Sequence, residues 1–420
     1  MNILKVYIAP CGIGLGHVTR SATIATNLNK RGVDTVFSTY SDGINYVKKM
    51  GFKLKRGLPI SFKVRNDGTV DFIQTATRSG FSIGLHKFLK QVVREIQNIK
   101  SYNPDLVFSD TRLSTIIAAK LLGKPTILML NQFMIEMMKD SGNDQKISEK
   151  IFFLIANFFW KFVKNLIAWI WTWSDWILVP DYPQPYTISM RNLFIPHRHR
   201  KKIKLIGSIL STKIKDLPDK STLRVEFDLD LKKPVAYAAI SGPRVERLYL
   251  IEKLSEILRS LTIYYQVIIS KGDPSSNRSP VIKYNLHIYD WIDDLTQFKL
   301  IKTSDVIISR AGHGIITKVL AYGKPLILIP IPNQTEQYGN ARRAENLGAA
   351  KIIDQIILSK ETLQNSIDEI LYQEKYKKNS NKISKMSQTI DGVEMATDLI
   401  IHMAHVKDYN RFSDLPASYN

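Results

Sequence analysis

The chain has 420 residues, 44% of them hydrophobic and 23% charged, the composition of an ordinary globular protein long enough for two or three domains. Its formal net charge of +21 favours anionic partners (nucleic acid, anionic lipid or phosphorylated substrates), beside the plain alternative of a solvated basic surface. One cysteine, Cys11, excludes an intrachain disulfide and a cysteine-based zinc cluster.

The opening stretch MNILKVYIAPCG has no signal-peptide apolar core or cleavage site and reads as a first strand. Apolar runs place that strand at 4–9 and predict others at 35–39, 106–109, 126–130 and 176–179, with helices near 17–31, 43–50, 81–100 and 112–122. Strands alternating with helices imply parallel βαβ units. Residues 58–80 read as a long loop, and helix 81–100 as an amphipathic packing element beside it. A second series of strands is expected at 235–240, 265–270, 287–289, 306–309, 326–330 and 350–353. Residues 208–232, rich in Ser, Lys and Asp, read as a linker between the two series. The expected organisation is an N-terminal domain over 1–207, that linker, a C-terminal domain over 233–400 and a tail over 401–420. The fold class is α/β, with two facing Rossmann-like domains whose parallel sheets open on a common cleft.

Residues 151–176, IFFLIANFFWKFVKNLIAWIWTWSDW, hold five of the six tryptophans: 160, 169, 171, 173 and 176. Asn157, Lys161, Lys164 and Asn165 share one helical face of an otherwise almost wholly apolar segment. Two lysines in mid-segment, at about 3 kcal/mol each at a bilayer centre, argue against a membrane span. An aromatic helix with a cationic stripe suits the membrane interface; the alternative is a helix buried against the N-terminal sheet. The run PHRHRKKIK, 196–204, adds cations that suit lipid phosphates or simply solvent.

Chemistry concentrates in two glycine turns. CGIGLGHVTR, 11–20, follows the first strand. It fails the dinucleotide fingerprint G-x-G-x-x-G: Gly12 and Gly14 fit, but His17 takes the third place, and the second strand ends on Thr39 and Tyr40 rather than an acid. What remains is a turn, with Gly14 and Gly16, that sets His17 at a helix N-terminus, where the dipole disfavours imidazolium and leaves a base. A helix-capping histidine is the structural alternative. Asp110, at the carboxyl end of strand 106–109, is a second base, a partner that orients His17, or an N-cap of the next helix.

The second turn, Arg310-Ala311-Gly312-His313-Gly314, joins a strand to a helix and offers free backbone N–H groups to an anion. The following loop and helix carry Asn333, Gln334, Glu336, Gln337 and Asn340, groups suited to sugar hydroxyls. Trp291 and Ile292 suit a flat base, and Ser241-Gly242-Pro243-Arg244 suits phosphate. Asp228-Leu229-Asp230 and the pairs His197/His199 and His402/His405 lack supporting ligands, so no metal or other cofactor is expected.

Over both turns the sequence resembles GT-B glycosyltransferases that make lipid-linked GlcNAc products: glycosyltransferase family 28, which makes peptidoglycan precursors, and the dolichyl-diphosphate chitobiose synthase type. The resemblance is strongest over 286–350, at Arg310, Gly312, Gly323-Lys324-Pro325 and Gln337-Tyr338-Gly339-Asn340-Ala341, and extends to Gly14-Leu15-Gly16-His17. It implies that Trp291 and Ile292 contact uracil, that Gly314 and Ile315 give N–H groups to the diphosphate, and that Glu336 and Gln337 bind donor hydroxyls. Ser241 matches the serine of the family's other glycine loop. One departure is Lys318, which stands where the family has a ribose-binding glutamate; a lysine cannot accept from hydroxyls but can pair with phosphate.

The implied activity is an inverting, metal-independent transfer of a sugar, GlcNAc, from a UDP-sugar to a polyprenyl- or dolichyl-diphosphate acceptor. His17 would be the base, and Arg310, Lys318 and the helix beginning near His313 would take the leaving-group charge. The expected setting is cytoplasmic, peripheral on the inner face of the cell membrane. Two alternatives stay open: a UDP-sugar epimerase of the same fold, and a non-enzymatic membrane- or nucleic-acid-binding protein.

Overall fold

The computed structural model describes residues 3–59, 80–132, 163–191, 193, 197–242, 244–273, 275, 276, 278–332 and 334–405. The loop expected at 58–80, the first half of the aromatic segment, Asn333 and the last fifteen residues therefore lie wholly or largely outside it.

The first sheet is seven-stranded and parallel, in the order β3-β2-β1-β4-β5-β6-β7. Its strands are β1 (Lys5–Pro10), β2 (Asp34–Thr39), β3 (Leu54–Arg56), β4 (Leu106–Asp110), β5 (Thr126–Met129), β6 (Trp176–Val179) and β7 (Ile203–Leu205). Helices α1 (Gly16–Lys30), α2 (Asp42–Lys49), α3 (Gly80–Tyr102) and α4 (Leu113–Leu121) connect them, followed by a helical stretch, α5, over 163–171. The second sheet, also seven-stranded, runs β10-β11-β9-β8-β12-β13-β14. It comprises β8 (Val235–Ala239), β9 (Gln266–Ser270), β10 (Val281–Lys283), β11 (Leu286–Tyr289), β12 (Val306–Ser309), β13 (Leu326–Leu328) and β14 (Ala350–Ile352), with only β10 antiparallel. Central strands such as β1, β8 and β12 are apolar almost throughout because helices cover both faces, so no alternation is needed.

Strand order reverses between β1 and β4 in one sheet and between β8 and β12 in the other, the switch points where open α/β sheets take ligands. Both glycine turns of the sequence leave the sheets at these points.

Three boundaries differ from the sequence reading. The segment 208–232 is not a plain linker: Asp219 caps α6 (Lys220–Glu226) by accepting from Thr222 N at 2.7 Å, and Arg224 and Lys220 both pair with Asp305 of the second domain. The stretch after β6 crosses over, with Tyr182 and Ile188 buried in the second domain's core. The helices that close the second domain include α7 (Arg244–Ser260), α8 (Asp294–Thr303), α9 (His313–Ala321), α10 (Thr335–Asn346), α11 (Lys360–Tyr372) and α12 (Glu374–Ser387). The last described helix, α13 (Gly392–His405), returns to the first domain and runs through 401–405, expected as tail. Its Ala396, Leu399, Ile400 and Met403 join the first core, and Asn27 Nδ2 donates to Glu394 and Thr397 at 3.1 Å.

Candidate active site

The turn after β1 is tight for a steric reason. A Cβ on Gly12 would lie 1.9 Å from the Tyr40 carbonyl oxygen, so no other residue fits, and Gly14 takes φ +69. The chain thus enters α1 at Gly16 with no side-chain cap. His17, in its first turn, meets the positive end of the helix. The register pairs Pro10 with Asp110, which brings the ends of β1 and β4 together. His17 Nδ1 stands 2.8 Å from Asp110 Oδ1.

Asp110 is fully buried and heavily coordinated. Arg20, one turn beyond His17, donates to it through Nε at 2.6 Å and Nη2 at 2.5 Å; Thr111 Oγ1 donates at 3.0 Å and Ser21 Oγ at 3.3 Å. Burial alone would raise the Asp110 carboxyl, but the Arg20 guanidinium and the His17 ring outweigh it and hold the group well below the usual carboxylate range. Asp110 does not cap the next helix, since α4 starts at Leu113 behind Arg112, which makes no side-chain cap; its carboxylate faces His17 instead.

Across the cleft, the turns from β8 and β12 form the second wall. Gly242, at φ +127, faces the first domain so closely that a Cβ on Gly14 would be 4.0 Å from its Cα. Ser241 is exposed beside it, and Arg244 opens α7 with its side chain outside the described part. Gly312 precedes α9 without a side-chain cap, leaving the first N–H groups of that helix open, and nothing lies within 4 Å of a Cβ built on Gly314. Between the walls is a cavity of about 270 Å³, lined on one side by His17 and Arg20 and on the other by Gly314, Ile315, Lys318 and Glu336. Lys318 Nζ sits 5.4 Å over the Phe298 ring. Trp291 and Ile292 also line the cavity, and Trp291 packs edge-on against Tyr46 of the first domain at 6.3 Å between centroids, with Lys49 over its ring.

Several residues assigned to the ligand are engaged elsewhere. Arg310 does not point its charge at the turn: its Nη1 donates to Gln355 Oε1 at 2.5 Å and its Nη2 to Glu246 O at 3.0 Å, and burial pushes it down to about 10. It braces the turn from within the domain. Gln337 Oε1 accepts from Ile331 N at 2.9 Å, and Asn340 Nδ2 donates to Ala311 O at 3.3 Å, so both hold the loops that carry the site. His313 is buried, its Nε2 3.0 Å from Asp181 Oδ2, and that aspartate also accepts from Ser189 N at 2.7 Å. Arg310, His313 and Gln337 nonetheless border the cavity, as does Glu336, whose Oε1 accepts from Asn131 Nδ2 at 2.8 Å. Arg20, Asn131 and Asp181 were not singled out from sequence; only Arg20 carried a signal, its helical spacing from His17. Among the described residues no group of three or more His, Cys, Asp or Glu is arranged to hold a metal.

The aromatic segment divides. Trp171 and Trp176 are core residues, at 3% and 8% exposure, which corrects their assignment to an interface. Trp169 and Trp173 are exposed and meet edge to face at 4.9 Å. On α3, Leu85, Leu89 and Val93 form an exposed apolar stripe at four-residue spacing. No described helix is long and apolar enough to cross a membrane.

Comparison with known proteins agrees with this architecture. Residues 246–394 match the family model described as the glycosyltransferase family 28 C-terminal domain, and residues 4–165 match that of glycosyl transferase family 1. An uncharacterized glycosyltransferase of Methanosarcina acetivorans is 26% identical over 402 residues, covering 94% of this chain and 98% of its own length. The UDP-N-acetylglucosamine–N-acetylmuramyl-(pentapeptide) pyrophosphoryl-undecaprenol N-acetylglucosamine transferase of Lactobacillus acidophilus is 29% identical over 213 residues, 48% of this chain and 55% of its own. Among solved structures, MurG of Acinetobacter baumannii superposes with a TM-score of 0.57 at 17% identity, over 96% of this chain and all of that one, a likeness of fold.

Proposed function

The chain is a nucleotide-sugar glycosyltransferase of the GT-B fold with a family 28 C-terminal domain, and from that premise we propose that it transfers GlcNAc from UDP-GlcNAc, with inversion, to a polyprenyl-diphosphate-linked sugar at a membrane surface. The observation that carries this reading is the His17–Asp110 pair facing the open N-terminus of α9 across one cavity. The donor diphosphate rests on the N–H groups of Gly314 and Ile315, its uracil near Trp291 and Ile292, and the sugar hydroxyls meet Glu336. His17 Nδ1 stands 2.8 Å from Asp110 and 3.0 Å from Arg20 Nη2; with its N–H donating to the nearer carboxylate, Nε2 is left to take the acceptor's hydroxyl proton. The acceptor oxygen then bonds to the anomeric carbon while the bond to the diphosphate breaks and its electron pair leaves with the UDP. The α9 dipole and Lys318 stabilise that charge.

The named activity of the Lactobacillus relative supports a lipid-linked acceptor. So do the exposed Leu85, Leu89, Val93, Trp169 and Trp173, with a net charge of +21 to meet anionic headgroups on the cytoplasmic face. The test is to supply radiolabelled UDP-GlcNAc with and without a polyprenyl-diphosphate GlcNAc acceptor. Label entering the lipid fraction only with the acceptor is the expected result. Epimerised UDP-sugar without acceptor would make the protein an epimerase of the same fold, and no binding of the sugar nucleotide would overturn the assignment.

A further inference from the structure

Asn131 follows β5, is 6% exposed, and uses its amide in two directions. Its Nδ2 donates to Glu336 Oε1, on the opposite domain, at 2.8 Å. Its Oδ1 faces the two terminal nitrogens of Arg20, each at 3.4 Å. A carboxylate only accepts and a guanidinium only donates, so one orientation of the amide satisfies both neighbours, and among side chains of this size only an amide serves an anion on one side and a cation on the other. Arg20 in turn grips Asp110, and Asp110 orients His17. The chain Glu336–Asn131–Arg20–Asp110–His17 therefore runs unbroken from the donor-side helix to the proposed base.

We propose that Asn131 is a positioning residue that couples closure of the cleft on the donor to alignment of His17. The inference rests on the reading above, in which Glu336 meets the donor sugar and His17 takes the proton. Glu336 has two oxygens: Oε1 holds Asn131, and Oε2 is left for a donor hydroxyl. The bridge forms only at the cleft width at which both contacts fit, so a donor that draws Glu336 inward carries Asn131, and with it the Arg20 clamp on Asp110. The 3.4 Å contacts to Arg20 are long, as catalytic hydrogen bonds often are before substrate binds.

The test is a set of variants assayed for transfer from UDP-GlcNAc to a polyprenyl-diphosphate GlcNAc acceptor, with UDP affinity measured separately by calorimetry and folding checked by thermal melts. Asn131→Ala is expected to lower kcat about tenfold or more while UDP affinity stays within about threefold, because Asn131 does not touch the nucleotide. In a Glu336→Ala background the same change is expected to lose most of its effect. Asn131→Asp sets a carboxylate against Glu336 and is expected to be worse than Asn131→Ala. Adding Glu336→Gln reverses the polarity of the bridge and is expected to recover about tenfold over Asn131→Asp alone, a rescue that a merely structural role would not give. Losses that simply multiply, with no rescue, in a wild type that binds UDP and transfers sugar would overturn the coupling alone. A wild type that neither binds UDP nor transfers sugar would overturn the function and this inference together.

Discussion

His17 Nδ1 lies 2.8 Å from Asp110 Oδ1, although 93 positions separate the two residues. One residue comes from a helix N-terminus and the other from the end of the neighbouring strand, and the parallel register of β1 and β4 joins them. The contact fixes one ring nitrogen toward a buried carboxylate and leaves the other for the cavity. That is the arrangement a general base needs: an oriented ring, a single free lone pair and a counter-charge in place before the proton arrives.

Removal of the ring should therefore separate chemistry from binding. His17→Ala is expected to lower kcat by about a hundredfold or more, the range of a lost general base, while UDP affinity measured by calorimetry stays near that of the wild type. Asp110→Asn is a harsher change, since it leaves the Arg20 guanidinium buried beside a neutral amide; a loss of about 3 kcal/mol in stability is expected with the loss of turnover. A His17→Ala enzyme that turns over at the wild-type rate would take His17 out of the mechanism.

The pH dependence of stability has an identified source in the second domain. Burial pushes the Glu246 carboxyl up to about 7, against the opposing pull of Arg310, from an ordinary value of 4.5. Between those values the native state binds the proton more tightly than the unfolded chain. This contribution to stability is thus complete below about pH 4.5 and lost as the pH rises through 7. Glu246→Gln keeps the neutral form at every pH. The variant is expected to match the wild type near pH 5 and to exceed it near pH 8 by at most about 3 kcal/mol in denaturant titrations. Equal curves at both pH values would remove Glu246 as the source.

The tryptophans of the aromatic segment should divide by burial. Trp171 packs with Ile116, Leu128, Leu130 and Ile177, so Trp171→Ser is expected to cost about 3–5 kcal/mol of stability. Trp169→Ser with Trp173→Ser removes exposed rings and is expected to leave the melting temperature within a few degrees while weakening co-sedimentation with anionic vesicles. Unchanged vesicle binding by that pair would assign membrane contact to other surfaces.

Much of this was legible in the sequence because the signals were local. The long apolar strands, the turn glycines and His17 announce themselves within ten residues. The edge strands β3, β7 and β10, each three residues long with a basic residue among them, stand in no apolar run that marks them, and exist because a longer neighbour offers them an edge. The structure brings residues of both turns to one cavity, and gives several of them protein partners that no local pattern announces. Arg310 looked like a phosphate ligand because its partner Gln355, 45 positions on, is invisible to local reading. Asn131 went unnoticed because its meaning lies in Glu336, 205 positions away on the other domain.

The glycines give the sharpest separation of folding from binding. Gly12→Ala would drive a methyl to 1.9 Å from a backbone oxygen and 2.7 Å from a backbone carbon of Tyr40, neither of which can turn aside as a side chain would. A loss of about 3 kcal/mol or more is expected, with the loop that presents His17 displaced. Gly314→Ala meets nothing within 4 Å, and alanine favours a helix over glycine by about 1 kcal/mol, so its melting temperature should equal or exceed the wild type's. The space that a methyl enters there is the space assigned to the donor diphosphate. UDP affinity is therefore expected to fall about tenfold or more in a protein that is no less stable. A Gly314→Ala variant that binds UDP as tightly as the wild type would move the diphosphate off the α9 turn, and with it the donor pose on which the in-line attack depends.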